Sequence, residues 1–176
     1  MRNIAYIDGQ NLHFGTRAKW WKVDVFKFRI FLRDKFNVEK AYYCLWCLDE
    51  DLEELYKDLQ EAWFIVTFRE HSRGMKWKKK WNVDTDIVFE IMKKLCEEQE
   101  TFWKVVLVSG DGDYIKTVKY LIKKEKLEKI VFPNNNYSSL YNPIVNKYGI
   151  NLSLPDIKGK IEYSDISVTW VWKLPI

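Results

Sequence analysis

Short apolar runs of strand character alternate with stretches of helical spacing along most of the chain, and this alternation restricts the fold more than any single residue does. The strand-like runs are Asn3 to Ile7, Lys40 to Leu48, Phe64 to Phe68, Val105 to Ser109 and Lys129 to Phe132, with a weaker one at Ile150 to Leu154. Between them lie Val25 to Phe36, Asp51 to Trp63, Asp86 to Glu98, Tyr114 to Lys124 and Ser139 to Tyr148. Each carries apolar residues three or four apart, the spacing that gives a helix one apolar face. Strand and helix in regular alternation imply βαβ units, and hence a parallel sheet covered on both faces. The expected class is α/β.

At 176 residues the chain suits one domain, and no repeat or linker divides it. The alternation ends near Leu154. Residues 1–154 are therefore read as the domain and 155–176 as a C-terminal extension. Its alternating run Ser167 to Trp172 is compatible with an edge strand, a lid or a contact in a homodimer. In the loop before Ser139 to Tyr148, Ser138 or Ser139 is a candidate N-cap.

No segment approaches the roughly 20 apolar residues of a membrane span, and the N-terminal residues do not resemble a secretion signal, so a cytoplasmic location without a membrane partner is expected. Cys44, Cys47 and Cys96 are an odd set without a secretory context, and no histidine or second pair accompanies Cys44 and Cys47. No disulfide framework is expected, and Cys44 and Cys47 are read as buried strand cysteines rather than a metal or redox pair. The net charge of +4 is small but unevenly spread. From Arg69 to Lys80 there are six cations, Arg69, Arg73, Lys76, Lys78, Lys79 and Lys80, against one acid, Glu70. Trp77 and Trp81 are interleaved with them. Cations beside aromatic rings suit a single-stranded polyanion, with lysines on phosphates and bases on rings.

The acids have a different pattern. In a parallel α/β sheet the loops leaving the carboxyl ends of the strands share one edge, where ligands bind. Asp8 directly follows the first strand, and Asp111 and Asp113 directly follow the fourth. Asp84 stands where the helix before the fourth strand begins, with Asp86 and Glu90 further along it. Acids in a first helical turn also serve as caps and favour the positive end of the helix dipole, which explains any one of them alone. Several carboxylates brought together need protons or a cation, and an all-oxygen donor set suits Mg²⁺ or Mn²⁺. Gly9, Gly110 and Gly112 are expected to leave room for a phosphate backbone. His13 lies beyond the first motif and His71 in the basic segment, so neither is placed as a general base.

Three motifs in order, Asp8-Gly9-x-Asn11-Leu12, Val83-Asp84-x-Asp86 and Ser109-Gly110-Asp111-Gly112-Asp113-Tyr114, resemble those of the NYN branch of the PIN-like nucleases over roughly Arg2 to Leu154. The resemblance implies a PIN-like three-layer α/β/α fold around a mostly parallel sheet of five or six strands. It also implies a Mg²⁺- or Mn²⁺-dependent ribonuclease, an endoribonuclease acting on single-stranded RNA. Asp8, Asp84, Asp111 and Asp113 would be the catalytic, metal-binding acids, with Asp86 as the understudy of Asp84. Asn11 would orient a metal-bound water or a substrate phosphate, Ser109 would hydrogen-bond a phosphate or hold a carboxylate, and Arg73, Lys76, Trp77, Lys78, Lys79, Lys80 and Trp81 would supply the substrate track. One departure is the approach Lys80-Trp81-Asn82-Val83, where relatives often have a tighter Lys-Gly-Val-Asp. DNA would satisfy the same charges, and only the resemblance selects RNA. The alternatives are an RNA-binding or scaffold module of the same fold without turnover, and, more distantly, a haloacid dehalogenase-type phosphatase. The phosphatase needs an Asp-x-Asp pair, whereas Asp8 is followed by Gly9 and Gln10.

Overall fold

The computed structural model describes residues 2–46, 52–68, 83–97 and 104–164. Six strands, β1 (Asn3–Asp8), β2 (Val38–Leu45), β3 (Ile65–Phe68), β4 (Val105–Val108), β5 (Leu127–Phe132) and β6 (Gly149–Asn151), form one sheet in the order β3-β2-β1-β4-β5-β6. Every pairing in it is parallel. The chain first winds outward from β1 through β2 to β3, then returns to the other side of β1 to lay down β4. The crevice between β1 and β4 is thus the point where the winding reverses.

Buried strands with alternate residues on opposite faces explain the two separate cores. Ala5 and Ile7 point to one side with Val106 and Val108, where they meet α1 (Gly9–Arg17), α2 (Val25–Phe36) and α3 (Glu53–Glu61) through Leu12, Phe28, Leu32 and Leu59. Ile4 and Tyr6 point to the other with Val105 and Leu107, where α4 (Asp84–Glu97) and α5 (Ile115–Lys123) supply Ile87, Ile91, Val118 and Leu121. Each fully buried Leu, Ile or Phe contributes about 1.5–3 kcal/mol of transfer free energy. Both faces need such a layer because β1 is buried along its whole length. The result is three layers, α/β/α, with six parallel strands.

The apolar pattern locates α2 well. Asp24 caps its start by accepting from the Lys27 N–H at 3.1 Å, and Asn37 ends it in the left-handed conformation, φ 52°. Two helices lie where none is expected from spacing. One is α1, which has only Gly9, Leu12 and Thr16 buried and so little periodic signal. The other is α7 (Pro155–Ile161), which opens on proline at its first turn. Its Ile157 and Ile161, one turn apart, join the core beside α2, so the packing continues past residue 154. The single helix expected over Ser139 to Tyr148 is divided. Pro143 has no N–H to donate, and the segment becomes a 3₁₀ turn at Ser139–Tyr141 followed by α6 (Val145–Tyr148). Ser138 caps the turn, accepting from Leu140 N–H. The run Ser167 to Trp172, with its three alternatives, lies outside the described residues. Among those residues no helix is long and apolar enough to cross a membrane, and Cys44 and Cys96 are free thiols.

Candidate active site

The register brings the acid-bearing turns together. Ile7 pairs with Val108 at the end of β4, so Asp8 and the turn Ser109 to Asp113 leave neighbouring strands at the same edge. Asp8 is the N-cap of α1: its Oδ1 accepts from Asn11 N–H at 2.9 Å. Asp111 caps the 3₁₀ turn Gly112–Tyr114 in the same way, accepting from Asp113 N–H at 3.0 Å. Capping thus uses one oxygen of each carboxylate and fixes the direction of the other.

Asp84 enters from α4, on the other side of the crevice, and behaves differently. It is buried at 7% exposure, and its Oδ2 has no hydrogen-bond partner. A buried carboxylate oxygen without a donor is costly, and burial pushes the Asp84 carboxyl above its usual range. The nearby Asp111 and Asp113 push it the same way. Ligand oxygens of Asp84, Asp111 and Asp113 all lie within 4.8 Å of one another. Asp8 is deeper. Burial, with help from Asp84 and Asp111, raises its pKa to about 6, although the Asn11 N–H and the Tyr114 hydroxyl oppose the shift.

Tyr114, part of the third motif but given no role from sequence, links the two deep acids. Its hydroxyl donates to Asp8 Oδ2 at 3.3 Å and lies beside the Asp84 carboxylate. Burial, and then the two carboxylates, push this phenol far above its normal range, so it remains a donor. Its signal in the sequence was a phenol directly after Asp113 at the ligand-binding edge.

The remaining expected residues fall in three groups. Asn11 Oδ1 accepts from Gly110 N–H at 2.9 Å and ties α1 to the β4 turn. Ser109 is buried, and its Oγ accepts from Asp111 N–H at 3.1 Å, which steadies the backbone carrying that acid. Asp86 and Glu90 line a separate hollow with Cys44 and Thr67, on the β2 and β3 side of α4. Arg73, Lys76, Trp77, Lys78, Lys79, Lys80, Trp81 and His71 lie outside the described residues.

The glycine expectation needs correction. A Cβ on Gly9 would stand 2.4 Å from Tyr43 Cε1, and one on Gly112 would stand 2.5 Å from Ser138 Oγ. The Gly9 and Gly112 positions are occupied by protein and permit close packing of turns rather than approach of a phosphate, whereas Gly110 lines the cleft. Above the acids lies a cleft of about 650 Å³, lined by Asp8, Asp84 and Asp111 on one side and by Asn134, Asn136 and Tyr137 on the other. Asn134 was legible in principle, because it follows β5 at the same edge. It joins the β5 loop to α1 by donating to the Gly15 carbonyl at 2.6 Å.

The NYN domain pattern matches residues 3–142 of this sequence, including all three acid-bearing motifs. The chain belongs to the NYN domain family. The cleft is accordingly that of an NYN domain, with the PIN-like nuclease fold that membership implies. Among its relatives, the low amplitude and bright protein LabA of Synechococcus elongatus is 22% identical over 173 residues, covering 93% of this chain and 89% of that one. A crystal structure of a protein of unknown function from Vibrio parahaemolyticus superposes with a TM-score of 0.73 at 16% identity. It covers 92% of this NYN protein and 96% of its own chain, and it shares the fold.

Proposed function

We propose that this protein is a Mg²⁺- or Mn²⁺-dependent ribonuclease that hydrolyses phosphodiester bonds of single-stranded RNA. The observation that carries the reading is the buried, unpartnered Oδ2 of Asp84 among the carboxylates of Asp111 and Asp113. An all-oxygen set of this kind fits a hard divalent cation, which would supply the missing partner and offset the mutual repulsion. Asp84, Asp111 and Asp113 would hold the ion, with Asp8 behind them and Asp86 left outside the set. Bound there, such an ion lowers the pKa of water and compensates charge developing on a phosphate.

The protein's own groups do the rest. Caps at Asp8 and Asp111 aim the carboxylates, and the Tyr114 hydroxyl holds the other oxygen of Asp8. The Asn11 carbonyl is engaged by Gly110, so its amide N–H₂ is the group available to a phosphate oxygen at the cleft wall. The segment from Arg73 to Trp81 would supply positive charge along the bound strand, by its composition.

Purified protein incubated with labelled RNA and DNA, in Mn²⁺ or in chelator, tests this directly. Cleavage of the RNA only with metal is expected. Asp111→Asn should lower it by about two orders of magnitude or more, since several kcal/mol of charge stabilisation depends on the ion. RNA binding without cleavage under any divalent metal would replace this reading with the non-catalytic module.

A further inference from the structure

Beside the acidic cleft lies a second pocket of about 460 Å³, on the other flank of α1. Its size is within the ~300–1,000 Å³ usual for small-ligand sites. The two hollows share Gln10, Phe14 and Trp46 as common walls, so they are continuous across one ridge. Their chemistry is opposite. Carboxylates line the first, whereas no acid is among the described residues lining the second. Its floor is apolar, built from Leu12, Tyr43, Leu45 and Leu55, and its rim carries His13, Arg17 and Lys22.

Phe14 stands 62% exposed on the ridge, and Trp46 is 36% exposed beside it, so two aromatic rings present surface at the junction of the two hollows. Among the described residues Arg17 has no ion-pair partner, and the Lys22 ammonium lies over the face of Tyr163 at 4.9 Å. Arg17 and Lys22 also depress the pKa of His13, after burial, which reports a positive rim.

We propose that this pocket is a nucleobase subsite. It would take an unstacked base of a single-stranded polynucleotide against Phe14 and Trp46, with the adjoining phosphate directed at Arg17 and Lys22. The inference rests on the ribonuclease reading for the scissile phosphate in the neighbouring cleft, and it adds the element that positions the strand. A base flanking the cleavage point leaves its stack, crosses the ridge and is held there, while its phosphate backbone passes the acids. Aromatic faces accept every base, so this subsite selects single strands over duplexes rather than one sequence.

The test is binding, in chelator, of a single-stranded RNA carrying one 2-aminopurine at successive positions. Wild-type protein should quench the emission of one position, as stacking does, and Phe14→Ala should abolish that quench and weaken binding about five- to hundred-fold. Phe14 is exposed enough that its loss should not unfold the domain. Arg17→Gln should lower the salt slope of binding by about 0.7, the value for one phosphate on a single strand. Trp63→Ala removes another exposed ring, before β3 at the amino edge of the sheet, and should change nothing. An equal response from a DNA oligonucleotide supports the same pocket, because stacking does not read the sugar. Wild type without any position-specific quench, or Phe14→Ala and Trp46→Ala binding and quenching as wild type does, overturns the subsite. Because binding is read without metal, a missing Mn²⁺-dependent cleavage overturns the nuclease reading alone.

Discussion

Tyr114 shows how one side chain organises several charges. Its hydroxyl donates to Asp8 beside the Asp84 carboxylate, in a place that water does not reach freely, and removing it leaves the Asp8 oxygen with less compensation. Tyr114→Phe keeps the ring that fills the core. It should weaken Mn²⁺ binding several-fold, because Asp8 loses its donor beside the metal-binding acids, and the stabilisation gained from excess Mn²⁺ should shrink by RT ln of the same factor. Isothermal titration with Mn²⁺ measures the first, and melting curves in chelator and in excess Mn²⁺ measure the second. A purely structural tyrosine would move the melting temperature and leave the metal affinity alone. Its position after Asp113 was plain from sequence, but its role was not. Which of two carboxylates a buried phenol reaches depends on the register of β1 against β4, and local spacing carries no such information.

At the scale of elements, α1 decides whether the site exists. It is a nine-residue helix with few buried side chains, held by the Asp8 cap at its start and by the Asn11 and Asn134 links to the β4 and β5 loops. Gly9 lets its first turn lie directly on β2, where a Cβ would be 2.4 Å from the Tyr43 ring and 3.0 Å from the Cys44 carbonyl. The ring can yield a little, but the backbone carbonyl cannot. Gly9→Ala should therefore destabilise the domain by about 1–3 kcal/mol, as overpacking does, and denaturant titration checks it. Activity should fall with it, since Asp8 is the residue next to the strained turn. The helices that were legible, α2 to α5, carry apolar residues three or four apart in the sequence. Those that were not owe their form to other features: α1, as long as α3 and α5, to its Asp8 cap and its links to neighbouring loops, and the seven-residue α7 to its opening proline and its packing beside α2.

For the whole molecule, the acid cluster couples folding to pH and to metal. Asp8 has a folded-state pKa near 6, above the 3.8 of an unperturbed carboxyl, because burial penalises its charged form. Between those values the folded chain holds more proton than the unfolded one. The stability Asp8 contributes is complete below about pH 4 and is lost as pH rises through 6. In chelator, Asp8→Asn should thus melt higher than wild type at pH 7.5 and equally at pH 4, the difference being on the order of 2–3 kcal/mol. A divalent ion that binds only the folded form should reverse the order at pH 7.5, since it stabilises the charged wild-type cluster by mass action. Equal melting of the two proteins at both pH values would show that Asp8 is not desolvated. The sequence by itself determined the layers of this protein, because apolar periods of two and of three to four residues impose strands and helices that must bury one another. It also determined the edge to which the acids belong, because each follows a strand or opens a helix. Only the tertiary structure decided that Asp84, not Asp86, faces Asp111 and Asp113, that the spaces beside Gly9 and Gly112 are filled by Tyr43 and Ser138, and that an aromatic ridge separates an acidic cleft from a basic pocket. Those outcomes depend on the rotation of α4 and the seating of α1 against the sheet, which many weak contacts distant in sequence set together.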